Sequence, residues 1–242
     1  MTRFFTNPQS ISGGLIALTV EDAGHIRSLR LRPDEFFIVC DGAGTDYVCR
    51  LGAADGGSVS EIIETRPSLG EPTVSCDVYI ALAKGDRLDY AVQKSVELGA
   101  RSIYIFPSAR CVSVPGNTAK KADRLQRISL ETAKQCGRGR IPEVTAMPSF
   151  KAAIEQASST GLPLFLYECE EKLHLKEALE SGSLGLGTIS IVTGPEGGFE
   201  PSEADIAGAK GMVIVSLGAR ILRCETAPAA ALAAVMFHTG NL

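Results

Sequence analysis

Tryptophan is absent from this chain of 242 residues, and histidine occurs only three times. No two of the seven cysteines stand as Cys-x-x-Cys. An odd number of scattered thiols suits a reducing compartment better than a disulfide framework or a zinc site. The longest apolar run, APAAALAAVMF at 227–237, is too short and too alanine-rich to span a bilayer. The opening MTRFFTNPQSISGG has no apolar h-region, so the expectation is a cytoplasmic protein without a secretory signal. The dinucleotide GxGxxG, the P-loop, HExxH and GxSxG are all missing. His25, His174 and His238 read as surface or capping residues rather than as a catalytic set. Hydrolysis through a Ser–His relay or a bound metal therefore has little support, and no metal is expected.

Apolar residues make up 45% and charged residues 21%, the balance of an ordinary soluble globular protein. The net charge of −4 alone argues against a nucleic-acid partner, but its distribution reverses that impression. Between residues 101 and 140 nine Lys or Arg face two acids, whereas both flanking regions are acidic. Such asymmetry is a phosphate-binding footprint or, equally, the solvated face of a helix.

Up to about residue 70 the chain reads as short strands and turns. FFIVCDG at 36–42 is a strand ending in an Asp-Gly turn, and DYVCRL at 46–51 is its hairpin partner. AADGGS at 53–58 marks another turn, and SVSEIIE alternates as a half-buried strand. DAGHIRSLRL is the one short helix in a small β-barrel or sandwich, and 66–72 reads as a linker. From residue 74 the rhythm changes: VSCDVYIAL, SIYIFP, EVTAM, PLFLYE, TISIV and MVIVSL alternate with helical patterns. That alternation implies an α/β domain built on a parallel sheet covered on both faces. The expected organisation is a β module over 1–72 followed by an α/β domain over 73–242.

Two segments near the end carry the most information: TGPEGGFEPSEADI at 193–206 and SLGARILRCETAPAAAL at 216–232. Each begins where a β-branched strand runs out, passes a glycine turn and enters a helix. Glycines there expose main-chain N–H and C=O groups to a ligand's polar edge, and two such loops at strand carboxyl ends make one cleft. A plain turn before a helix explains the first segment equally well. In the second, Arg220 and Arg223 stand beside Gly218 and just before a helix starting near Thr226, where cations and helix N–H groups favour anionic or electron-rich ligands. The small-residue helix that follows suits either a subunit contact or core packing.

GPEGGF followed by SLGxRILRxETA resembles the signature of the RsmE family of SPOUT methyltransferases. KGDRLDYAVQKSVELGA, the SARC turn, AKQCGRGRIPEV and LYE fall in the family's order, and RFF with HIRSLRLRPDEFFIVCDGAG resembles its PUA-like RNA-binding domain. The resemblance covers essentially the whole chain and implies S-adenosylmethionine-dependent methylation of uridine N3 in 16S ribosomal RNA of the small subunit. It implies a homodimer, a PUA-like β-barrel and a SPOUT sheet closed by a C-terminal trefoil knot, a rare exception to un-knotted topology. On this resemblance the cofactor is held by Leu166, Tyr167 and Glu168; by Thr193, Gly194, Pro195, Glu196, Gly197 and Gly198; and by Ser216, Leu217, Gly218, Ile221 and Leu222. Glu196 would orient the cofactor or cap the following helix. Arg223 would stabilise the anion developing on uracil, and Glu225 is the candidate base. RNA grip is assigned to Lys94, Arg110, Lys134, Gln135, Arg138 and Arg140, with Arg3, Arg27, Arg30 and Arg32 in the first domain. Lys134 stands where the family commonly has Glu. A SPOUT enzyme with another RNA target, or a non-catalytic RNA-binding assembly factor, remains an alternative.

Overall fold

The computed structural model describes residues 2–32, 35–51, 59–112, 118–181 and 187–242. The AADGGS turn at 53–58 lies outside them. The chain divides into two compact units: Met1–Glu71 with Ala133–Ile141, and Pro72–Thr132 with Pro142–Leu242. The division at residue 72 read from the sequence does not anticipate that residues 133–141 join the first unit.

In that unit a six-stranded sheet runs β1-β4-β5-β6-β3-β2. Its strands are β1 (Arg3–Phe5), β2 (Ile11–Ser12), β3 (Leu15–Ala17), β4 (Phe36–Cys40), β5 (Thr45–Leu51) and β6 (Val59–Pro67). The β4–β5 hairpin pairs Val39 with Tyr47. Its turn is held by the Asp41 carboxylate, which accepts the N–H groups of Ala43 at 2.8 Å and Thr45 at 3.0 Å. Helix α1 (Val20–Ser28) starts two residues before the sequence pattern suggests, because the Thr19 hydroxyl caps it by accepting the Asp22 N–H. It stops where Arg30 takes a left-handed φ of 53°. Phe4, Ile16, Ile26, Phe37, Val39 and Cys49 form the core, with Phe4 edge-on to Phe37.

Two ion pairs brace this unit. Arg3 Nη2 donates to Asp46 at 2.8 Å, and Arg138 Nη2 donates to Glu71 at 2.7 Å. Glu71 also accepts the N–H groups of Gly139 and Arg140, so it folds the Cys-Gly-Arg-Gly-Arg run around one carboxylate.

The second unit carries a six-stranded, wholly parallel sheet in the order β12-β10-β11-β7-β8-β9. The strands are β7 (Ser75–Ala81), β8 (Ser102–Phe106), β9 (Glu143–Ala146), β10 (Leu162–Leu166), β11 (Thr188–Thr193) and β12 (Val213–Val215). Between them lie α2 (Arg87–Glu97), α3 (Thr118–Cys136), α4 (Phe150–Ala157), α5 (Leu175–Ser181) and α6 (Pro201–Ala209), and α7 (Thr226–His238) follows β12. β10 is buried at every position, as a central parallel strand requires. No helix among the described residues is long and apolar enough to cross a membrane.

Strand order positions the site. The chain lays β7, β8 and β9 in one direction, then crosses back so that β11 inserts between β7 and β10. The carboxyl ends of β11, β10 and β12 thus lie side by side, and a parallel sheet places its ligand cleft at such ends. Phe199, directly after the glycines, is 1% exposed and stacks on Phe165 with ring centroids 4.3 Å apart. It is the anchor that pins the glycine loop to the sheet.

Phe199→Ala should therefore cost about 3–5 kcal/mol of second-unit stability, read as a lower urea midpoint. A second expectation concerns acid. Burial pushes the Asp46 carboxyl up, but hydrogen bonds from Arg3 and Ser68 outweigh it, so it sits below the usual range; Asp41 behaves alike through Thr45 and Ala43 N–H groups. A depressed carboxyl stabilises fully above the unfolded pKa of about 4 and loses that contribution as pH falls through the lower folded value. The first unit's urea midpoint should hold from pH 7 to about 4.5 and fall below that, and Asp46→Asn should flatten the fall.

Candidate active site

The loops after β10, β11 and β12 enclose a cavity of about 780 Å³. Its lining includes Leu166, Tyr167 and Glu168 from the first loop, 193–198 from the second, and 216–225 from the third. Every residue assigned above to the cofactor lines this one cavity, and so do Arg223 and Glu225. Local chemistry explains the close approach. Gly198 has a φ of +66°, and a Cβ there would lie 1.6 Å from Glu168 Oε1. The Glu168 carboxylate therefore rests directly on the glycine main chain, and a side chain at 198 would both displace it and be strained by the left-handed φ. A Cβ on Gly194 would lie 3.2 Å from the Phe199 ring, so the loop is tight on its core side as well.

Charge is mixed along the wall. Glu168, Glu170, Glu171, Glu196 and Glu225 share the cavity with Arg87, Arg220 and Arg223. Arg220 and Arg223 are exposed and form no ion pair among the described residues. The Arg223 carbonyl accepts the N–H groups of Thr226 and Ala227, so the residue is tied to the start of α7 from just outside the helix. Burial, and then the neighbouring Glu225, push the Cys224 thiol up to about 12. Cys224 Sγ lies 3.2 Å from Glu225 Oε2 as a neutral donor, and a neutral thiol is no nucleophile near pH 7.

Glu196 does not cap helix α6. The Glu200 N–H is taken instead by the Glu203 carboxylate at 3.0 Å, while Glu196 Oε1 accepts the Lys84 N–H and Arg87 Nη1, each at 2.8 Å. Its Oε2 is buried without a hydrogen-bond partner among the described residues. Burial raises this carboxyl, yet the Lys84 N–H and Arg87 outweigh burial and hold it below the usual range.

The residues assigned to RNA grip separate into distinct settings. Arg3 is a correction: its side chain is 8% exposed and spent on Asp46. So is Arg138, 4% exposed against Glu71, because a guanidinium buried with a carboxylate braces the fold rather than meeting phosphate. Arg110 donates to the Gly197 carbonyl at 3.1 Å and so contacts the glycine loop. Lys94 bonds Glu97 on its own helix and lies over the Tyr90 ring. Arg27, Arg30, Arg32, Gln135 and Arg140 are exposed, and Lys134 is half-buried. Sequence reasoning did not single out Arg87, Glu170, Glu171 or Cys224, and it read His174 as a surface or capping residue; all five line the cavity. His174 is brought there by a bridge to Ser216 beyond the end of β12, a pairing that no local pattern marks. Among the described residues no group of His, Cys, Asp or Glu is placed to hold a metal ion.

Residues 70–236 match the RNA methyltransferase domain family, and residues 18–63 match the RNA methyltransferase PUA domain. The chain is 31% identical to ribosomal RNA small subunit methyltransferase E of Bacillus subtilis, over 99% of this chain and 97% of that protein. It is 32% identical to the protein of the same name from Synechocystis sp., over 96% of this chain and 76% of that one. In three dimensions it is similar to the crystal structure of a ribosomal RNA small subunit methyltransferase E from Neisseria gonorrhoeae bound to S-adenosyl methionine. That similarity has a TM-score of 0.83 at 30% identity and covers 98% of this chain and 97% of that one. By sequence over nearly its full length, and by the domain that carries the cavity, the chain belongs to the ribosomal RNA small subunit methyltransferase E family.

Proposed function

We propose that this protein methylates N3 of a uridine in 16S ribosomal RNA, with S-adenosylmethionine as methyl donor held in the cavity after β10, β11 and β12. The observation that carries this reading is the convergence of three strand-end loops on one cavity whose wall is glycine main chain. The donor set fits the cofactor. S-adenosylmethionine bears an ammonium, a carboxylate and a sulfonium, and this wall offers carboxylates, guanidiniums and a buried Glu196 Oε2 that has no hydrogen-bond partner among the described residues. When bound, the cofactor supplies an electrophilic methyl group that needs no metal to be transferred. The protein's part is alignment and electrostatics.

Uridine N3 carries a proton and becomes nucleophilic as that proton leaves. Arg223, unpaired at the start of α7, stabilises the developing charge on the uracil edge, and the positive end of the helix adds to it. Glu225, two residues after Arg223 and hydrogen-bonded by a neutral thiol, is placed to accept the proton. The base edge must be unpaired to be reached, so the uridine is single-stranded or extruded.

Residues 1–72, which hold most of the first unit, act as the PUA-like RNA-binding domain, with the SPOUT methyltransferase domain over 73–242. Arg27, Arg30, Arg32, Gln135 and Arg140 are the exposed residues that fit RNA contact. The return of the chain from edge strand β12 to pack α7 against β11 and β7 fits the C-terminal trefoil knot that the resemblance implies. α7 buries Pro228, Ala231, Leu232, Val235 and Met236, and leaves half-buried alanines and a 75% exposed Phe237 on its other side. That side fits the subunit contact of a homodimer acting in the cytoplasm on the small ribosomal subunit.

Labelled cofactor incubated with small subunits that lack the modification should place one methyl on a uridine N3. Incorporation into transfer RNA or large-subunit RNA instead would refute the substrate, and cofactor uptake without incorporation would indicate an assembly factor. Arg223→Ala should lower single-turnover methylation by about 10²–10³-fold, while cofactor affinity stays within about twofold, as its role in charge stabilisation requires.

A further inference from the structure

The glycine loop after β11 is not held by Phe199 alone. Glu196, in its middle, accepts at Oε1 the Lys84 N–H from the loop after β7 and the guanidinium of Arg87 from the start of α2, each at 2.8 Å. These residues lie 109 positions apart in sequence for Arg87 and 112 for Lys84, so the contact joins the ends of two neighbouring strands of the sheet. The Lys84 loop is itself steadied by α3, whose Lys121 Nζ donates to the Ala83 carbonyl at 3.2 Å. A buried carboxylate oxygen with no partner is costly, and it persists only where neighbouring groups hold it in place. Among the described residues Glu196 Oε2 is such an atom, and Glu196 lines the cavity.

We propose that Arg87 is a positioning residue for cofactor uptake. By holding Oε1, it fixes the Glu196 carboxylate and the glycine main chain on either side of it in the shape that receives the methyl donor. Magnitudes separate this role from a merely structural one. The Arg87 side chain is 42% exposed, and exposed ion pairs add little to global stability. Loss of Arg87 should therefore appear in binding and hardly in folding. Lysine retains a donor of the same charge, although it lacks the guanidinium fork.

The inference rests on S-adenosylmethionine being the cavity's ligand, so wild-type titration comes first. If calorimetry shows no uptake by the wild-type protein, the functional reading fails and Arg87 has no cofactor to position. With wild-type binding established, Arg87→Ala should weaken the S-adenosylmethionine Kd by about tenfold and raise KM for the cofactor more than it lowers kcat. The thermal midpoint should move by no more than about 2 °C. Arg87→Lys should recover most of the affinity. Adding Glu196→Gln to Arg87→Ala should weaken binding by less than the product of the two single effects, because both act through one contact. Unchanged affinity in Arg87→Ala, multiplicative effects in the double variant, or an affinity loss that tracks a large fall in thermal midpoint would each overturn the assignment.

Discussion

A strand of main chain can serve as a binding wall only if other groups hold it, because its own glycines leave it free to move. In this protein the apolar anchor among those groups is Phe199. Its ring is sunk among Phe106, Phe150 and Phe165, while the residues just before it face the cavity. Removing the ring would leave a void in the sheet's core and release the loop at once, so packing energy and site geometry are coupled through one side chain. Gly198 supplies the complementary condition. Because it has no Cβ, the Glu168 carboxylate from the loop after β10 can sit on it. The neighbouring strand ends are thereby brought into contact across bare backbone.

Polar ties complete the frame. Glu196 reaches back to the loop after β7. On the other side the buried Glu203 carboxylate accepts the Ser108 hydroxyl and the Ala109 N–H, and Arg110 meets the Gly197 carbonyl. The glycine loop is thus bounded by the carboxyl ends of β7, β8 and β10. Each tie is worth little by itself. Together they remove the conformational freedom that a ligand would otherwise have to overcome on binding.

Much of this was legible in the sequence, for local reasons. The alternation of β-branched runs with amphipathic helices marks a parallel sheet. TGPEGGF and SLGARILRCETA place glycine and helix starts at strand ends, which is where such a sheet binds its ligand. Less legible were features made by long-range contact. Arg87 meets Glu196 only after strand insertion has placed β11 beside β7, and His174 reaches the cavity only through its pairing with Ser216. Charge counts misled in the opposite direction. Arg3 and Arg138 add to the basic total, but a count does not reveal that Asp46 and Glu71 already hold them. The joining of residues 133–141 to the first unit is equally hidden, since it depends on Glu71 collecting donors from three residues of that run.

The central claim is that three strand-end loops close together around the methyl donor. Amide hydrogen exchange with and without S-adenosylmethionine tests it most directly. The account predicts that cofactor slows exchange in 166–168, 193–198 and 216–222 together, with little change in the sheet of the first unit. Protection confined to one of these loops, or appearing elsewhere while all three exchange unchanged, would contradict it.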